Sequence, residues 1–240
     1  MPFGSSQWMY SSGFYPTEID QSLMFDGTAY LSRTPSVAGN RKTWTWSGWV
    51  KRGALGASYF MPFGADAGGG TGAAIYFYND LLYFGQGATT YRATSSVYRD
   101  TSSWYHVLLT LDTTDATAVD RVKIYINGNQ VTSFSTTNNP SVNADLAFNN
   151  NVAHAVGADI PNTGARNFFN GYLADTYFVD GTALDPTSFG EFKSGVWIPK
   201  RYTGSYGTNG FHLEYDGNAN DSSGTGNNWT ATNIVAGDYM

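Results

Sequence analysis

Trp104-Tyr105-His106-Val107-Leu108-Leu109-Thr110-Leu111-Asp112, followed after a polar loop by Arg121-Val122-Lys123-Ile124-Tyr125-Ile126-Asn127-Gly128, settles the architecture. In the first segment Val107, Leu109 and Leu111 point one way and His106, Leu108 and Thr110 the other. In the second, Val122, Ile124 and Ile126 alternate with Lys123 and Tyr125. The period is two rather than 3.6, so both read as half-buried strands. Asn127-Gly128 supplies the positive φ angles of a type I′ turn, and the chain is expected to reverse there into Asn129-Gln130-Val131.

The same signals recur outward from this block. Asp-Gly or Asn-Gly stands at 26–27, 127–128, 170–171, 180–181 and 216–217, each beside β-prone residues, and such spacing punctuates strands. Trp44 to Val50 reads as a strand with Trp44 and Trp46 on one face. Ile75-Tyr76-Phe77-Tyr78 and Leu81-Leu82-Tyr83-Phe84, split only by Asn79-Asp80, form a second hairpin with aromatics on both faces. Gly171 to Val179 and Phe211 to Tyr215 add two more strands. Asp185 to Phe192 is the one helical turn, with Asp185 as cap and Pro186 at its first position. The polar stretch 132–151 reads as a loop, and no repeat of 20–50 residues indicates a solenoid. The expected fold is all-β, an antiparallel jelly-roll β-sandwich over 21–240, preceded by an arm over 1–20.

Composition bounds the function. The 240 residues are 41% hydrophobic, 16% aromatic and only 13% charged, with 28 Gly and 8 Pro, which fits one domain of many short strands. A net charge of −6 argues against a nucleic-acid partner, because no basic surface is present to release phosphate counterions. Cysteine is absent, so neither disulfides nor thiolate metal sites contribute, and assembly in a reducing compartment is compatible. The first twenty residues lack the basic start and apolar run of a secretory signal. No segment approaches the ~20 consecutive apolar residues of a membrane span, so no membrane partner is expected.

The central block resembles the laminin-G and concanavalin A-like lectin/glucanase family, in which a W-Y/H-H-V strand leads to a K-x-Y-I/V-N-G hairpin. Phe169 to Phe178, continuing to Ala183-Leu184-Asp185, is similar to that family's F-x-G-x-L/I-D-E-V-x-V/I-Y-x-x-A-L-S stretch, with Asp185-Pro186 replacing the usual Ser. Asp221 to Asn228 is similar to its D-x-S-G-x-G-N turn. Ser22 to Gly53, Arg99 to His106 and Asp221 to Thr230 resemble laminin-G-type virion proteins of tailed bacteriophages. The resemblance covers roughly 20–235. It implies a non-enzymatic structural subunit on the particle exterior, assembled in the host cytoplasm, with capsid or tail proteins as partners and homo-oligomerisation expected. The alternative it implies is a receptor-binding module for host-surface polysaccharide.

Candidate site residues follow from both readings. Glucanases of this fold resemble one another in an E-x-D-x-x-E strand, whose two glutamates act on one glycosidic bond. Here Glu18, Glu191 and Glu214 are the only glutamates and none sits in a paired motif, so no catalytic residue is assigned. His106, His154 and His212 have no metal-ligand spacing, and no serine sits in a G-x-S-x-G elbow. Gly68 to Gly72 lacks the ending of a phosphate-binding loop. Relatives often hold calcium at the sandwich rim, and Asp66, Asp159 and Asp175 are the residues to weigh, but no metal or cofactor is assigned. For sugar binding, Tyr76, Tyr78, Tyr83, Tyr91, Asp175 and Tyr177 are the candidates, by ring stacking and hydroxyl hydrogen bonds; the plain alternative is that these tyrosines pack against cross-strand neighbours. For docking on other subunits the arm offers Trp8, Met9, Tyr10, Phe14 and Tyr15, the alternative being a strap on its own sandwich. The segment Asn228 to Ile234 is expected to behave like the arm.

Overall fold

The two turns read from sequence close as left-handed pairs. Asn127 and Gly128 have φ of 48° and 78°, and Asn79 and Asp80 have φ of 47° and 63°. Both central residues of a type I′ turn need such angles, and Asn and Asp tolerate them without glycine. A computed structural model describes residues 17–66, 68–160 and 164–240.

The strands, in chain order, begin with β1 (Leu23–Asp26), β2 (Tyr30–Arg33), β3 (Thr43–Arg52), β4 (Phe60–Ala65), β5 (Ala73–Tyr78), β6 (Leu81–Gln86), β7 (Thr89–Val97) and β8 (Tyr105–Asp112). They continue with β9 (Val122–Ile126), β10 (Asn129–Gln130), β11 (Phe134–Thr137), β12 (His154–Val156), β13 (Asn170–Asp180), β14 (Gly190–Lys193), β15 (Val196–Pro199), β16 (Phe211–Leu213) and β17 (Thr230–Thr232). One sheet has seven strands in the order β1-β13-β3-β8-β9-β10, with β16 also on β13; the other has eight in the order β11-β7-β6-β5-β4-β12-β2-β17. Strands β14 and β15 make a separate ribbon.

One core lies between the sheets. Trp44, Trp46 and Val50 of β3, with Val107, Leu109 and Leu111 of β8, face Phe63, Ile75, Phe77, Leu82 and Phe84 of the other sheet. Each such side chain contributes about 1.5–3 kcal/mol by leaving water. Trp44 meets Phe84 and Phe148 edge-on at 5.8 and 5.3 Å, the geometry aromatic quadrupoles favour. At one end the sheets are joined by a buried ion pair, Arg52 Nη1 to Asp80 Oδ1 at 3.0 Å.

Four expectations need correction. In the 104–128 block β9 keeps its alternation, but β8 is not half-buried: Leu108 and His106 on its outer face are 0% and 1% exposed. A third layer from residues 184–206 covers that face, where Leu108, Tyr177, Val179, Phe189 and Tyr206 form a second cluster and Trp197 packs on His106. Stretch 132–151 is not only loop, because Phe134–Thr137 pairs with β7 and Phe148 enters the main core. The Asp185 turn has the expected cap, Asp185 accepting from the Thr187 amide at 2.9 Å, and the expected start at Pro186, but it does not extend to Phe192: it is a single 3-10 turn, Pro186–Ser188, and the chain is a strand again from Gly190. Asn228 to Ile234 does not project: Trp229 is buried against Phe211 and Thr230–Thr232 pairs with β2.

Trp8, Met9, Tyr10, Phe14 and Tyr15 lie outside the described residues. Residues 17–21 lie against the seven-stranded sheet, where Arg201 N donates to Thr17 Oγ1 at 3.3 Å. No helix among the described residues is long and apolar enough to cross a membrane.

Candidate functional site

Alternation along β5 and β6 sends Ile75, Phe77, Leu82 and Phe84 inward, which leaves Ala74, Tyr76, Tyr78, Tyr83 and Gly85 on the outer face of the eight-stranded sheet. The Asn79-Asp80 turn fixes the register so that Tyr76 lies opposite Tyr83 and Ala74 opposite Gly85. The Tyr76 and Tyr83 rings stack at 4.9 Å and 11°. Tyr59, just before β4, stacks on Tyr78 at 4.6 Å and 19° and leans on Tyr76 at 5.5 Å. Tyr78 meets Tyr83 edge-on, so the four rings form a closed patch. Burial raises the Tyr76 and Tyr83 phenols above their ordinary range, so these two hydroxyls stay neutral donors at neutral pH.

Beside the patch the sheet is floored with small residues. Gly64 pairs with Ala74, Ala74 with Gly85 and Gly85 with Thr90, and this row leaves a depression of about 380 Å3. Tyr59 and Tyr76 form one wall; Thr89, Thr90, Asn167 and the Asp66/Asp159/Arg166 group form the rest. Arg166 Nε donates to Asp159 Oδ2 at 2.9 Å and its Nη2 lies 3.8 Å from Asp66 Oδ2. Burial lifts the Asp159 carboxyl above the usual range, opposed by Arg166 and assisted by Asp66. Two nearly buried carboxylates thus share one guanidinium, and the wall has acidic excess.

Of the six sugar candidates, the structure brings Tyr76, Tyr78 and Tyr83 together and separates the other three. Tyr91 packs toward the core, 5.6 Å from Phe84. Asp175 and Tyr177 are on the other sheet, where Tyr177 donates to Asp175 Oδ2 at 2.9 Å and His212 Nε2 lies 2.5 Å from Oδ1. Tyr177 is 1% exposed, and burial next to Asp175 drives its phenol pKa far up. Tyr59 was missed because it ends the irregular run Gly53 to Ser58 and belongs to no alternating pattern.

Two pairs that resemble catalytic groups are committed to structure. Ser47 Oγ is 2.8 Å from His106 Nε2, but the Trp197 indole, which can only donate, reaches His106 Nδ1 at 3.1 Å. Nε2 therefore carries the proton and donates to Ser47, the wrong tautomer for a base. Glu18 and Glu214 line one depression of the seven-stranded sheet with Asp175, yet Glu214 is paired with Arg201 at 2.5 Å. Of the carboxylates weighed for calcium, Asp66 and Asp159 meet across Arg166 and Asp175 is on the opposite sheet; no group of three or more His, Asp or Glu among the described residues is arranged to hold a metal ion.

The Asp221 turn is likewise a structural device. Its carboxylate accepts from His212 N, Ser223 N and Oγ, Thr225 Oγ1 and Asn227 N, which holds the carboxyl below the usual range against the opposing effect of burial, the largest single influence.

Two antiparallel sheets enclosing one core, with an aromatic outer face on the larger sheet, define a lectin-type β-sandwich. The chain belongs to the concanavalin A-like lectin/glucanases superfamily, whose laminin-G-type family model matches residues 25–188. Among solved structures it is similar to a protein from Bacteroides ovatus provisionally described as carbohydrate binding, at 16% identity and a TM-score of 0.58, covering 94% of this chain and 60% of that one. It is also similar to the heptameric SAP-like pentraxin of Limulus polyphemus, at 19% identity and 0.52, covering 70% and 79%. The extracellular region of zebrafish Gpr126/Adgrg6 matches at 14% and 0.57, covering 91% of this chain and 26% of that one. At these identities the likeness is one of fold. No curated protein sequence matches the chain.

Proposed function

We propose that this chain is a non-enzymatic, lectin-like module that binds polysaccharide on the outer face of its eight-stranded sheet and is carried on the exterior of a tailed-phage particle. The observation that carries the binding reading is the Tyr59, Tyr76, Tyr78 and Tyr83 patch beside a depression lined with hydrogen-bonding side chains. Fixed rings cost little entropy to present and offer a flat apolar surface to a sugar ring, while amides and hydroxyls orient it. A superfamily of lectins and glucanases, and the Bacteroides neighbour's description, agree with this reading. Its non-enzymatic part is supported by the commitment of Glu214, Ser47 and His106 to internal partners. A glycan array with wild type and Tyr76→Ala is the test: hits lost in the variant support it, and an array without any specific hit overturns it.

The particle reading is supported by the similarity of Ser22 to Gly53, Arg99 to His106 and Asp221 to Thr230 to virion proteins, and by Phe3, Trp8, Met9, Tyr10, Phe14 and Tyr15 in the arm over 1–20. It includes attachment to capsid or tail through that segment, assembly in the host cytoplasm and symmetric self-association. Deleting residues 1–16 separates folding from attachment. An unchanged melting temperature with lost particle incorporation supports the reading; retained incorporation overturns it.

A further inference from the structure

Resting on the lectin reading above, we infer that the site is an extended groove that takes an internal stretch of a neutral polysaccharide, with the exposed face of Tyr59 as its central platform. The depression beside Tyr76 is not isolated. A second one, of about 480 Å3, is lined by Gly27, Ala57, Ser58, Tyr59, Phe168 and Asn170. Tyr59 and Asn167 line both, so the two basins meet at these residues. Either basin alone has the size of a small-ligand pocket, and the pair exceeds what one sugar ring fills.

Tyr59 is built for the junction. One face of its ring is spent on Tyr78, and the residue is nonetheless 45% exposed, more than any other tyrosine in the patch. The opposite face is therefore the one presented to solvent. Its backing is rigid, because Tyr78 is braced edge-on by Tyr83 and Tyr83 is stacked on Tyr76. The loop that carries it is pinned where Gly56 N donates to the buried Asp80 carboxylate at 2.8 Å. Asn167, the other shared residue, holds a left-handed backbone angle of 53°, its carbonyl accepts from Met61 N at 3.2 Å, and its side-chain amide has no hydrogen-bond partner among the described residues. Its side chain brings a donor and an acceptor to the junction, as a hydroxyl-rich ligand requires.

Charge selects the class. The cation on the groove wall, Arg166, is shared between Asp159 and Asp66, so a uronate or sialate carboxylate would meet a wall with acidic excess. A neutral chain meets no such opposition.

The test runs in two stages. Native gels are cast with dextran, galactomannan or arabinoxylan as neutral polymers and with alginate or polygalacturonate as anionic ones. Oligosaccharides of one to six units from any retarding polymer are then titrated by calorimetry. Retardation by a neutral polymer is expected, with affinity rising about tenfold or more from one to four units, as a second filled basin demands. Tyr59→Ala is expected to lose about tenfold for the four-unit ligand, with an unchanged melting temperature and recovery in Tyr59→Phe. Equal affinity for one and four units overturns the extended groove and leaves the lectin reading standing. Retardation by anionic polymers alone overturns the neutral class. Silence with every polymer overturns this inference together with the lectin reading.

Discussion

Asp80→Asn removes one charge and little else, because Asn also accepts the left-handed φ of 63° that position 80 requires. The side chains of Asp80 and Arg52 are 8% and 0% exposed, and Asp80 also accepts from Arg99 Nε at 2.8 Å and Gly56 N at 2.8 Å. Arg52 is held on its other sides by the Tyr98 and Ala54 carbonyls at 2.7 and 3.0 Å and by the Phe77 ring at 4.7 Å, none of which carries a countercharge. Breaking a buried pair on one side costs about 3–5 kcal/mol, because the remaining ion keeps its desolvation penalty. Against a domain stability of about 5–15 kcal/mol that is a large fraction. Urea unfolding followed by tryptophan emission is expected to show a midpoint lower by roughly 1 M or more. A second arm uses pH. Burial pushes the Asp80 carboxyl up, but its hydrogen bonds to Gly56, Arg99 and Arg52 outweigh burial and leave it below the ordinary carboxylate value. Its contribution is then complete above the unfolded pKa near ~3.9 and is lost as pH falls through the lower folded value. The gap between wild type and Asp80→Asn is expected to be constant above about pH 5 and to narrow in more acidic solution. A deficit below about 1 kcal/mol at pH 7, or a gap that does not change in acid, would refute the assignment of this pair as the tie between the sheets.

Phe148→Ala empties a fully buried position among Trp44, Phe63 and Phe84, and calorimetric unfolding is expected to show a loss of about 3–5 kcal/mol. Gly128→Ala places a Cβ against the Trp197 ring at a φ of 78°, so denaturant unfolding should report a loss of at least ~1–2 kcal/mol, and a neutral result would refute the packing of the β14/β15 ribbon on that turn. His106 is kept neutral in the fold, its pKa pushed down to about 3 by burial, so its stability contribution is complete above ~6.5 and drains as pH falls toward the folded value. Between pH 6 and 4, His106→Gln is expected to flatten stability against pH by up to about 1.4 kcal/mol per pH unit, whatever its effect at pH 7.

The fold was legible because its determinants are local. Period-two runs and two-residue turns at 79–80 and 127–128 depend on neighbours in sequence, and both closed as expected. What was not legible depends on distant chain. The outer face of β8 looked solvent-directed until residues 184–206 were laid across it, since Leu108 and His106 carry no sign of which segment returns to cover them. Phe148 was hidden in a polar stretch for the same reason. At the site, alternation could place Tyr76, Tyr78 and Tyr83 on one face, because a shared hairpin fixes their relation. It could not exclude Tyr177, whose strand carries a register shift between Ala174 and Tyr177 with Asp175 at a φ of 50°, nor include Tyr59, which reaches the patch from a loop.

That asymmetry of cover also bears on where a large ligand can bind. Two flat faces are available in any sandwich, and here they are treated differently. The seven-stranded sheet is overlaid by Phe189, Trp197, Tyr202 and Tyr206 and by residues 17–21, with depressions of about 270 and 320 Å3 at the edge of the cover. Its polar groups are consumed internally: His212 and Tyr177 on Asp175, Arg201 on Glu214. Over β4 to β6 the eight-stranded sheet carries no third layer among the described residues. Its outer residues are either small enough to floor a groove or aromatic and stacked on one another, and Asn167 lines the groove beside them. A face that is rigid, apolar in patches and short of internal hydrogen-bond partners is ready for a hydroxyl-bearing chain, whereas a face already packed and paired must first lose what holds it together.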